Sequence, residues 1–301
     1  MDIFYYGAHM SIKNGIISAI DEIILYEGNL LQIFISNPMS TKSVPKLSDI
    51  ECNQIKLKLT NTNTKLVIHL PYVINLSKPI LKLENAWWIK MICTQLIISD
   101  KIGSIGCVVH VGKHLEQTID EGIENMYNGL VYICNFIETN KLNTFIILET
   151  SAGQGTELIT TKNNSLDDFA TFYNKFTIEQ KKYLRICVDT CHIFAAGFDI
   201  TNSNRVKKFF DDFNKLIGIK YIALIHLNDS KSNCGSCVDR HENLGMGKIG
   251  IEGLRNFIRY GSFYKIPIIL ETPTAFEKEI QLIKIVQKGV DKWSKSNNLI
   301  K

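Results

Sequence analysis

Histidine and carboxylate side chains follow the short apolar runs of this sequence, at the point where each run ends. They are His9, His69, His110, Glu149, Asp189, His226 and Glu271. From His69 onward the spacings are 41, 39, 40, 37 and 45 residues, each about the length of one strand, one helix and two loops. This regular spacing predicts that the side chains meet at one rim, if the runs are the strands of a closed sheet.

Two further pairs of an acid and a histidine add donors to this set. Asp189 and His192 lie three residues apart, and Asp239 and His241 lie two residues apart in a later loop. Packing so many imidazoles and carboxylates together without counter-ions would cost several kcal/mol per uncompensated charge, so the sequence predicts bound cations. The nine candidate ligands are His69, His110, Glu149, Asp189, His192, His226, Asp239, His241 and Glu271.

The types of donor favour zinc. Nitrogen and oxygen donors without thiolates suit Zn²⁺, with Mn²⁺ or Fe²⁺ at one site as the alternative. Nine ligands exceed the needs of one or two catalytic metals, so their number predicts three Zn²⁺ per chain, provided that one carboxylate bridges. Three divalent ions against four carboxylates leave about two positive charges. A hydroxide and an anionic substrate such as a phosphodiester would balance that charge.

Eight buried strands must position these donors. The apolar runs cover residues 4–9, 30–36, 65–70, 105–111, 143–150, 184–190, 221–229 and 266–272, and several are apolar on consecutive residues, as strands covered on both faces are. Segments with helical spacing lie between them. The pattern predicts an α/β fold, a single-domain (β/α)₈ TIM barrel spanning residues 1–301 with its active site at the C-terminal ends of the strands. An open doubly wound sheet is the alternative architecture.

The composition is that of an ordinary globular protein. It is 45% hydrophobic and 21% charged, with 34 basic against 30 acidic residues, which excludes general disorder and a polycationic nucleic-acid coat. We find no apolar stretch of about 20 residues and no basic N-terminal region before an apolar core. The eight cysteines suit a reducing compartment. We therefore expect a soluble, intracellular protein with no membrane partner, in cytoplasm or nucleus, or in a virion if it is virus-encoded, and not secreted. We also expect a monomer.

Several segments closely resemble the endonuclease IV family of apurinic/apyrimidinic (AP) endonucleases. All nine ligand positions of the family pattern are filled here without substitution. The resemblance covers nearly the whole chain, from GAHMS (7–11) to ILET (269–272), and four segments in the family's order carry it. These are LETSAGQG (148–155), CVDTCHIFAAG (187–197), HLNDSK (226–231) and DRHENLGMG (239–247).

The resemblance implies a role for each of the nine donors. Glu149 would be the bridging carboxylate: it would bind two of the three zinc ions and activate hydroxide. The first zinc would be held by His69, His110 and Glu149, the second by Glu149, Asp189, His226 and Glu271, and the third by His192, Asp239 and His241.

The resemblance also implies the reaction and the substrate. The family cleaves the phosphodiester 5′ to an abasic site in double-stranded DNA, leaves a 3′-hydroxyl and removes 3′ blocking groups. The implied partner is thus duplex DNA with abasic sites or 3′-blocked ends. The abasic nucleotide would be flipped into the metal pocket, which costs least where no base is paired.

Residues in the loops after the strands are candidate DNA contacts. Tyr72 matches a family residue that enters the duplex at the lesion, and Met39 stands where the family usually has an intercalating arginine. An apolar wedge at Met39 could still fill the gap left by a flipped nucleotide. Lys231, Arg240 and Lys248 could neutralise backbone phosphates.

Two histidines and two short motifs complete the candidates. His9 and His114 could hydrogen-bond substrate or metal-bound water, or be structural. The segment 245–250 spells G-x-G-x-x-G but does not directly follow a strand, so we interpret it as a flexible loop rather than a dinucleotide site. Cys234 and Cys237 form a C-x-x-C without a second pair, which we interpret as a loop feature.

Other functions remain to be separated from a DNA-repair hydrolase. A sugar isomerase or epimerase on a barrel of the xylose isomerase type would also place acids and histidines around one or two metals at the strand ends. It would have little use for the extra donors His69, His110, His192, Asp239 and His241. A non-catalytic DNA-binding module would not explain nine inward-facing ligands.

Overall fold

Eight parallel strands of the described chain form a closed barrel. The computed structural model describes residues 3–41, 47–79, 82–297 and 299, so the predicted domain limits at residues 1 and 301 lie outside the described residues. Each predicted apolar run contains one barrel strand. The TIM-barrel prediction is therefore confirmed, and the alternative of an open doubly wound sheet is wrong.

The barrel closes between its first and last strands. Around the barrel the order is β1, β2, β3, β4, β5, β6, β7 and β10, with β10 pairing back to β1, while the short strands β8 and β9 form a separate antiparallel pair. The strands are β1 (Tyr6–His9), β2 (Leu30–Ile33), β3 (Lys65–His69), β4 (Gly106–His110), β5 (Phe145–Glu149), β6 (Leu184–Asp189), β7 (Ile222–His226), β8 (Asp229–Ser230), β9 (His241–Glu242) and β10 (Ile268–Leu270).

Helices between the strands cover the outside of the barrel. Two of them begin with a capping box, at Ser48 with Glu51 and at Thr118 with Glu121, where each side chain bonds the other's backbone N–H. In the described part of the chain, no helix is long and apolar enough to cross a membrane. The helices are α1 (Ile16–Leu25), α2 (Asp49–Thr62), α3 (Trp87–Ile102), α4 (Ile119–Thr139), α5 (Asp167–Tyr173), α6 (Thr190–Ala196), α7 (Ser203–Leu216), α8 (Gly250–Tyr264), α9 (Phe276–Lys288) and α10 (Val290–Ser296).

A layer of buried side chains fills the barrel interior, one from each of seven strands. Because side chains alternate between the two faces of a strand, the residue two positions further on points into the barrel again, nearer its C-terminal mouth. On these seven strands that next position is always polar. The layer consists of Leu30, Val67, Val108, Ile147, Cys187, Leu224 and Ile269.

Candidate metal centre

A ring of polar side chains lies above the apolar layer at the mouth of the barrel. Its members come from β2 to β7 and from the residue that follows β10, and the strand register places neighbours side by side, as His110 beside Glu149 and Asp189 beside His226. The predicted strand-end donors are thus brought together. The ring consists of Gln32, His69, His110, Glu149, Asp189, His226 and Glu271.

The nine predicted ligands fall into three groups, two of which share one carboxylate. Within each group the ligand atoms lie within 4.8 Å of one another. Glu149 belongs to two of the groups, as a bridging ligand would. The groups are His69, His110 and Glu149; Glu149, Asp189, His226 and Glu271; and His192, Asp239 and His241.

Glu149 lies between imidazoles from three other strands. Its Oε2 is 3.1 Å from Nε2 of His110 and 3.4 Å from Nε2 of His69, and its Oε1 is 2.8 Å from Nδ1 of His226. The carboxylate is fully buried. Each of its oxygens therefore faces a different group of donors.

The third group depends on the loop that follows β7. Asp239 lies with Oδ2 3.2 Å from Nε2 of His192 and with Oδ1 3.3 Å from Nε2 of His241. The α6 helix carries His192, and the carboxylate of Asp189 caps that helix by accepting the His192 backbone N–H at 2.9 Å. The local fold of the Asp189 segment thus links the second group to the third.

Backbone carbonyls orient three of the imidazoles. Nδ1 of His69 donates to the carbonyl of Leu70 at 2.7 Å, and Nδ1 of His192 donates to the carbonyl of Thr150 at 2.8 Å. Nδ1 of His241 lies 3.1 Å from the carbonyl oxygen of Glu271. A carbonyl only accepts, so in the neutral ring each Nε2 is left with its lone pair facing the donor groups, as metal-ligating histidines require.

Three buried polar atoms of the centre lie close to other ligand atoms but make no hydrogen bond within the described residues. They are Oε2 of Glu149, Nε2 of His192 and Nε2 of His241. Buried polar atoms are nearly always paired, because an unpaired one costs free energy. All three atoms belong to the donor groups, so the residues fit bound cations.

The charges of the centre also fit cations. Burial alone would raise the pKa of Glu149, but the imidazoles of His226 and His110 hold it well below its usual value. Burial favours the neutral form of His241, yet Asp189 and the carboxylates beside it raise the pKa of that imidazole to about 9. The carboxylates therefore stabilise positive charge at the barrel mouth.

Two buried thiols lie beside the donors. Cys187 is near Glu149 and His226, and Cys191 is near Asp189. Burial raises the pKa of both thiols to about 12, with smaller contributions from neighbouring groups. Neither thiol is needed to complete the three groups of predicted ligands, whose ligand atoms are all nitrogen or oxygen.

Sequence reasoning missed two fully buried amides that hold the ligands. Gln32 donates to Oε1 of Glu271 at 2.6 Å. Asn228 donates to Oδ2 of Asp189 at 2.7 Å and accepts the backbone N–H of Glu271 at 2.9 Å. The sequence did contain a sign of both residues. Each is a polar residue within an apolar run, at or near the position in the run where other strands carry a predicted ligand.

The glycine-rich segment 245–250 is not a free loop. The fully buried carboxylate of Asp229 accepts hydrogen bonds from backbone N–H groups along it, at 2.9 to 3.3 Å. A Cβ at Gly247 would lie 2.5 Å from Oδ1 of Asp229, so only glycine allows this approach. The segment encloses a carboxylate of its own chain. These hydrogen bonds hold the loop in place, whereas the sequence predicted a flexible loop. The donors are Gly245, Gly247, Ile249 and Gly250.

The candidate DNA contacts lie on the surface around the mouth. Met39 is 73% exposed and Tyr72 is 50% exposed, with the Tyr72 ring edge-on to His69 and His110 at 5.4 and 5.3 Å between centroids. Lys248 is exposed.

Two other basic candidates for DNA contacts interact with neighbouring groups of the protein. Nζ of Lys231 lies 4.0 Å from Oε2 of Glu242. Arg240 donates from Nη1 to the backbone carbonyl of Asp239 at 2.6 Å.

The remaining candidates differ in their distance from the donors. Nδ1 of His9 lies 3.4 Å from Oε1 of Glu271, so His9 borders the centre. Nδ1 of His114 donates instead to the carbonyl of Gln117 at 2.8 Å, in a groove beside α4. Cys234 is exposed and Cys237 is half-buried, and both are free thiols.

Comparison with known proteins assigns the chain to a family. Residues 29–295 match the sequence profile of the xylose isomerase-like TIM barrel family. A relative from Thermosipho melanesiensis, named probable endonuclease 4, is 36% identical over 274 residues, which cover 89% of this chain and 91% of that protein. The chain belongs to the endonuclease IV family. The predicted resemblance is confirmed, and membership places the chain among the endonucleases.

Solved structures show how widely the fold of this endonuclease IV family member is shared. The crystal structure of endonuclease IV from Thermus thermophilus is 24% identical, has a TM-score of 0.75 and covers 96% of this chain and 99% of that one. A D-tagatose 3-epimerase-like protein, at 19% identity, has a TM-score of 0.69 and covers 95% and 98%. The fold alone therefore does not separate an endonuclease from an epimerase.

Proposed function

We propose that this protein is a zinc-dependent AP endonuclease of base excision repair. It would hydrolyse the phosphodiester 5′ to an abasic site in duplex DNA, leave a 3′-hydroxyl and remove 3′ blocking groups. The observation that carries the proposal is the sharing of Glu149 between two of three donor groups at one barrel mouth. Membership in the endonuclease IV family supports the same substrate.

The three donor groups would each hold one zinc ion. Bound there, zinc would supply Lewis-acid activation of water and of the phosphodiester. Mn²⁺ or Fe²⁺ in place of one zinc is compatible with the same donors. We propose His69, His110 and Glu149 for the first ion, Glu149, Asp189, His226 and Glu271 for the second, and His192, Asp239 and His241 for the third.

The chain's own residues would bind and orient the substrate. Tyr72 and Met39, both exposed at the mouth, would occupy the space that a flipped nucleotide leaves in the duplex. Lys231, Arg240 and Lys248 would contact backbone phosphates from the loops on the other side. His9 would donate to the substrate beside Glu271, whereas the groove position of His114 favours a structural role.

A sugar isomerase or epimerase of the xylose isomerase type is the competing function, because it shares the fold. The third donor group distinguishes the two. His192, Asp239 and His241 lie close enough to hold a metal of their own. An isomerase that works with one or two metals has little use for this additional site.

We further propose that the protein acts as a monomer inside the cell, in cytoplasm or nucleus, or within a virion if a virus encodes it. The support is the proposed substrate, since duplex DNA under repair is found in those places. The site itself is built from one chain, with all three donor groups at one barrel mouth.

An incision assay on defined duplexes tests the proposal. A 5′-labelled duplex with one abasic analogue, incubated without added magnesium, should yield a product cut 5′ to the lesion that a polymerase extends. A duplex with a 3′-phosphate should also become extendable. The same duplex with an intact base is the control. Failure to cut the abasic duplex, together with epimerisation of a ketose, would contradict the proposed function.

A further inference from the structure

One member of the polar ring is neither a histidine nor an acid. Gln32 lies on β2, two positions after the apolar-layer residue Leu30, at the offset where the other strands carry their candidate ligands. Its side chain is fully buried. A buried amide at this position must be explained by its hydrogen bonds, because it costs free energy if they are not made.

The hydrogen bonds of Gln32 fix the direction of its amide. The Nε2 atom lies 2.6 Å from Oε1 of Glu271, and a carboxylate oxygen only accepts. The amide nitrogen must therefore face Glu271. Its oxygen then faces the opposite side, where Oε1 lies 2.8 Å from Nε2 of His226.

The amide oxygen determines which nitrogen of His226 carries the proton. An amide oxygen only accepts, so Nε2 of His226 must donate to it, and in the neutral ring Nδ1 is left with a lone pair. That atom faces Oε1 of Glu149 at 2.8 Å, Oε2 of Glu271 at 3.2 Å and Oδ2 of Asp189 at 3.9 Å. His226 thus presents Nδ1 to the donors, whereas the three carbonyl-bonded histidines present Nε2.

The second hydrogen of the same amide reaches His9. Nε2 of Gln32 lies 3.0 Å from Nδ1 of His9. If this hydrogen is donated, Nδ1 of His9 accepts and its Nε2 carries the proton. The His9 side chain is 15% exposed at the barrel mouth. In this tautomer it offers a hydrogen-bond donor at the mouth.

We infer that Gln32 is a positioning residue that sets the tautomers of His226 and His9. One amide gives His226 a metal-facing Nδ1 and gives His9 a donating Nε2–H. The part that concerns metal binding rests on the proposed function. The part that concerns tautomers rests only on the hydrogen bonds of the chain, so the two can fail separately.

The test compares Gln32→Met with a matched variant of another buried glutamine. Gln95 is fully buried on α3, outside the barrel, so Gln95→Met controls for the loss of a buried amide. Both full-length variants would be labelled with ¹⁵N-histidine, and NMR would read the protonated nitrogen of each ring in zinc-loaded and chelator-treated protein. Zinc retention against a competing chelator would be measured on the same samples.

In the chelator-treated wild type, Nε2 of both His226 and His9 should carry a proton; Nδ1 of His226 can carry one as well there, because it lies 2.8 Å from Oε1 of Glu149. Gln32→Met should give mixed tautomers at both rings and weaken retention of one zinc by about 10- to 100-fold. Gln95→Met should leave the tautomers and retention as in the wild type. An Nε2 of His226 without a proton in the wild type, or an unchanged Nε2 in Gln32→Met, would overturn the inference.

Gln32→Glu separates the two tautomers and guards against a folding defect. A carboxyl group still accepts from Nε2 of His226, but it has no second hydrogen for His9. His226 should keep its tautomer, while Nδ1 of His9 should gain a proton. An unchanged His9 in this variant would contradict the inference. If the wild type binds no zinc, the proposed function fails, and the tautomers of the metal-free protein still decide the role of Gln32.

Discussion

Replacing Glu149 by glutamine removes the group that joins two donor sets. The substitution keeps the shape of the side chain but turns one oxygen into an NH₂ group and removes one negative charge. In the present structure Oε1 is 2.8 Å from Nδ1 of His226, and Oε2 is 3.1 and 3.4 Å from His110 and His69. The glutamine amide therefore turns its NH₂ group toward one of these sets. An NH₂ group donates hydrogen bonds and cannot ligate a metal.

The expected loss of activity is large. Removing one group that stabilises charge in a transition state costs about 10²–10³-fold. In the proposed function Glu149 would serve two ions, so we expect a loss of at least about 10³-fold in kcat/KM, or about 4 kcal/mol. Binding of abasic duplex should persist within about tenfold, or 1.4 kcal/mol, because the exposed rim residues Met39 and Tyr72 are unchanged.

Single-turnover incision with enzyme in excess measures the loss of activity. Fluorescence anisotropy at fixed salt measures the binding of abasic duplex. Glu252→Gln is the control, because Glu252 lies on α8, where its carboxylate accepts the backbone N–H of Ser203 at 3.1 Å. This control should incise at the wild-type rate. If Glu149→Gln kept most of its incision rate, the bridging role of Glu149 would be wrong.

Three further substitutions test the loop and the DNA contacts. Asp229→Asn should lower the free energy of unfolding by about 2–3 kcal/mol in a urea titration, because an amide NH₂ cannot accept from the backbone N–H groups that bond one oxygen of this buried carboxylate; an effect as small as that of the exposed Asp211→Asn would refute this. Met39→Arg should tighten binding at low salt and steepen the salt dependence by about 0.9 for each additional phosphate that the protein neutralises, and an unchanged slope would place residue 39 away from DNA. Tyr72→Ala should weaken binding of abasic duplex by about 1–3 kcal/mol, while equal loss on intact duplex would argue against contact at the lesion.

The barrel and the strand-end ligands could be predicted because two sequence patterns coincide: apolar runs recur along the chain, and a histidine or carboxylate residue stands at the end of most of them. Consecutive apolar residues mark strands that are covered on both faces, and a closed barrel brings the ends of such strands to one rim. His69, His110 and Glu149 follow directly from that rule. The structure then places their ligand atoms within 4.8 Å of one another.

The roles of the supporting residues could not be predicted, even where a polar residue stood at the right offset, because their hydrogen-bond partners are distant in sequence. Gln32 bonds to His226 and Glu271, which lie 194 and 239 residues away. Asp229 fixes a glycine-rich loop that begins 16 residues later, and glycines alone suggest flexibility. Hydrogen bonds of this kind leave no periodic pattern, so only the folded chain reveals them.

Metal content and activity measured on one sample test the central claim most directly. Elemental analysis of the purified protein should find close to three metal ions per chain, predominantly zinc. The same sample should incise abasic duplex DNA without added magnesium and lose that activity as a chelator removes the metal. A single metal ion per chain, with epimerisation of a sugar and no incision of abasic DNA, would contradict the account.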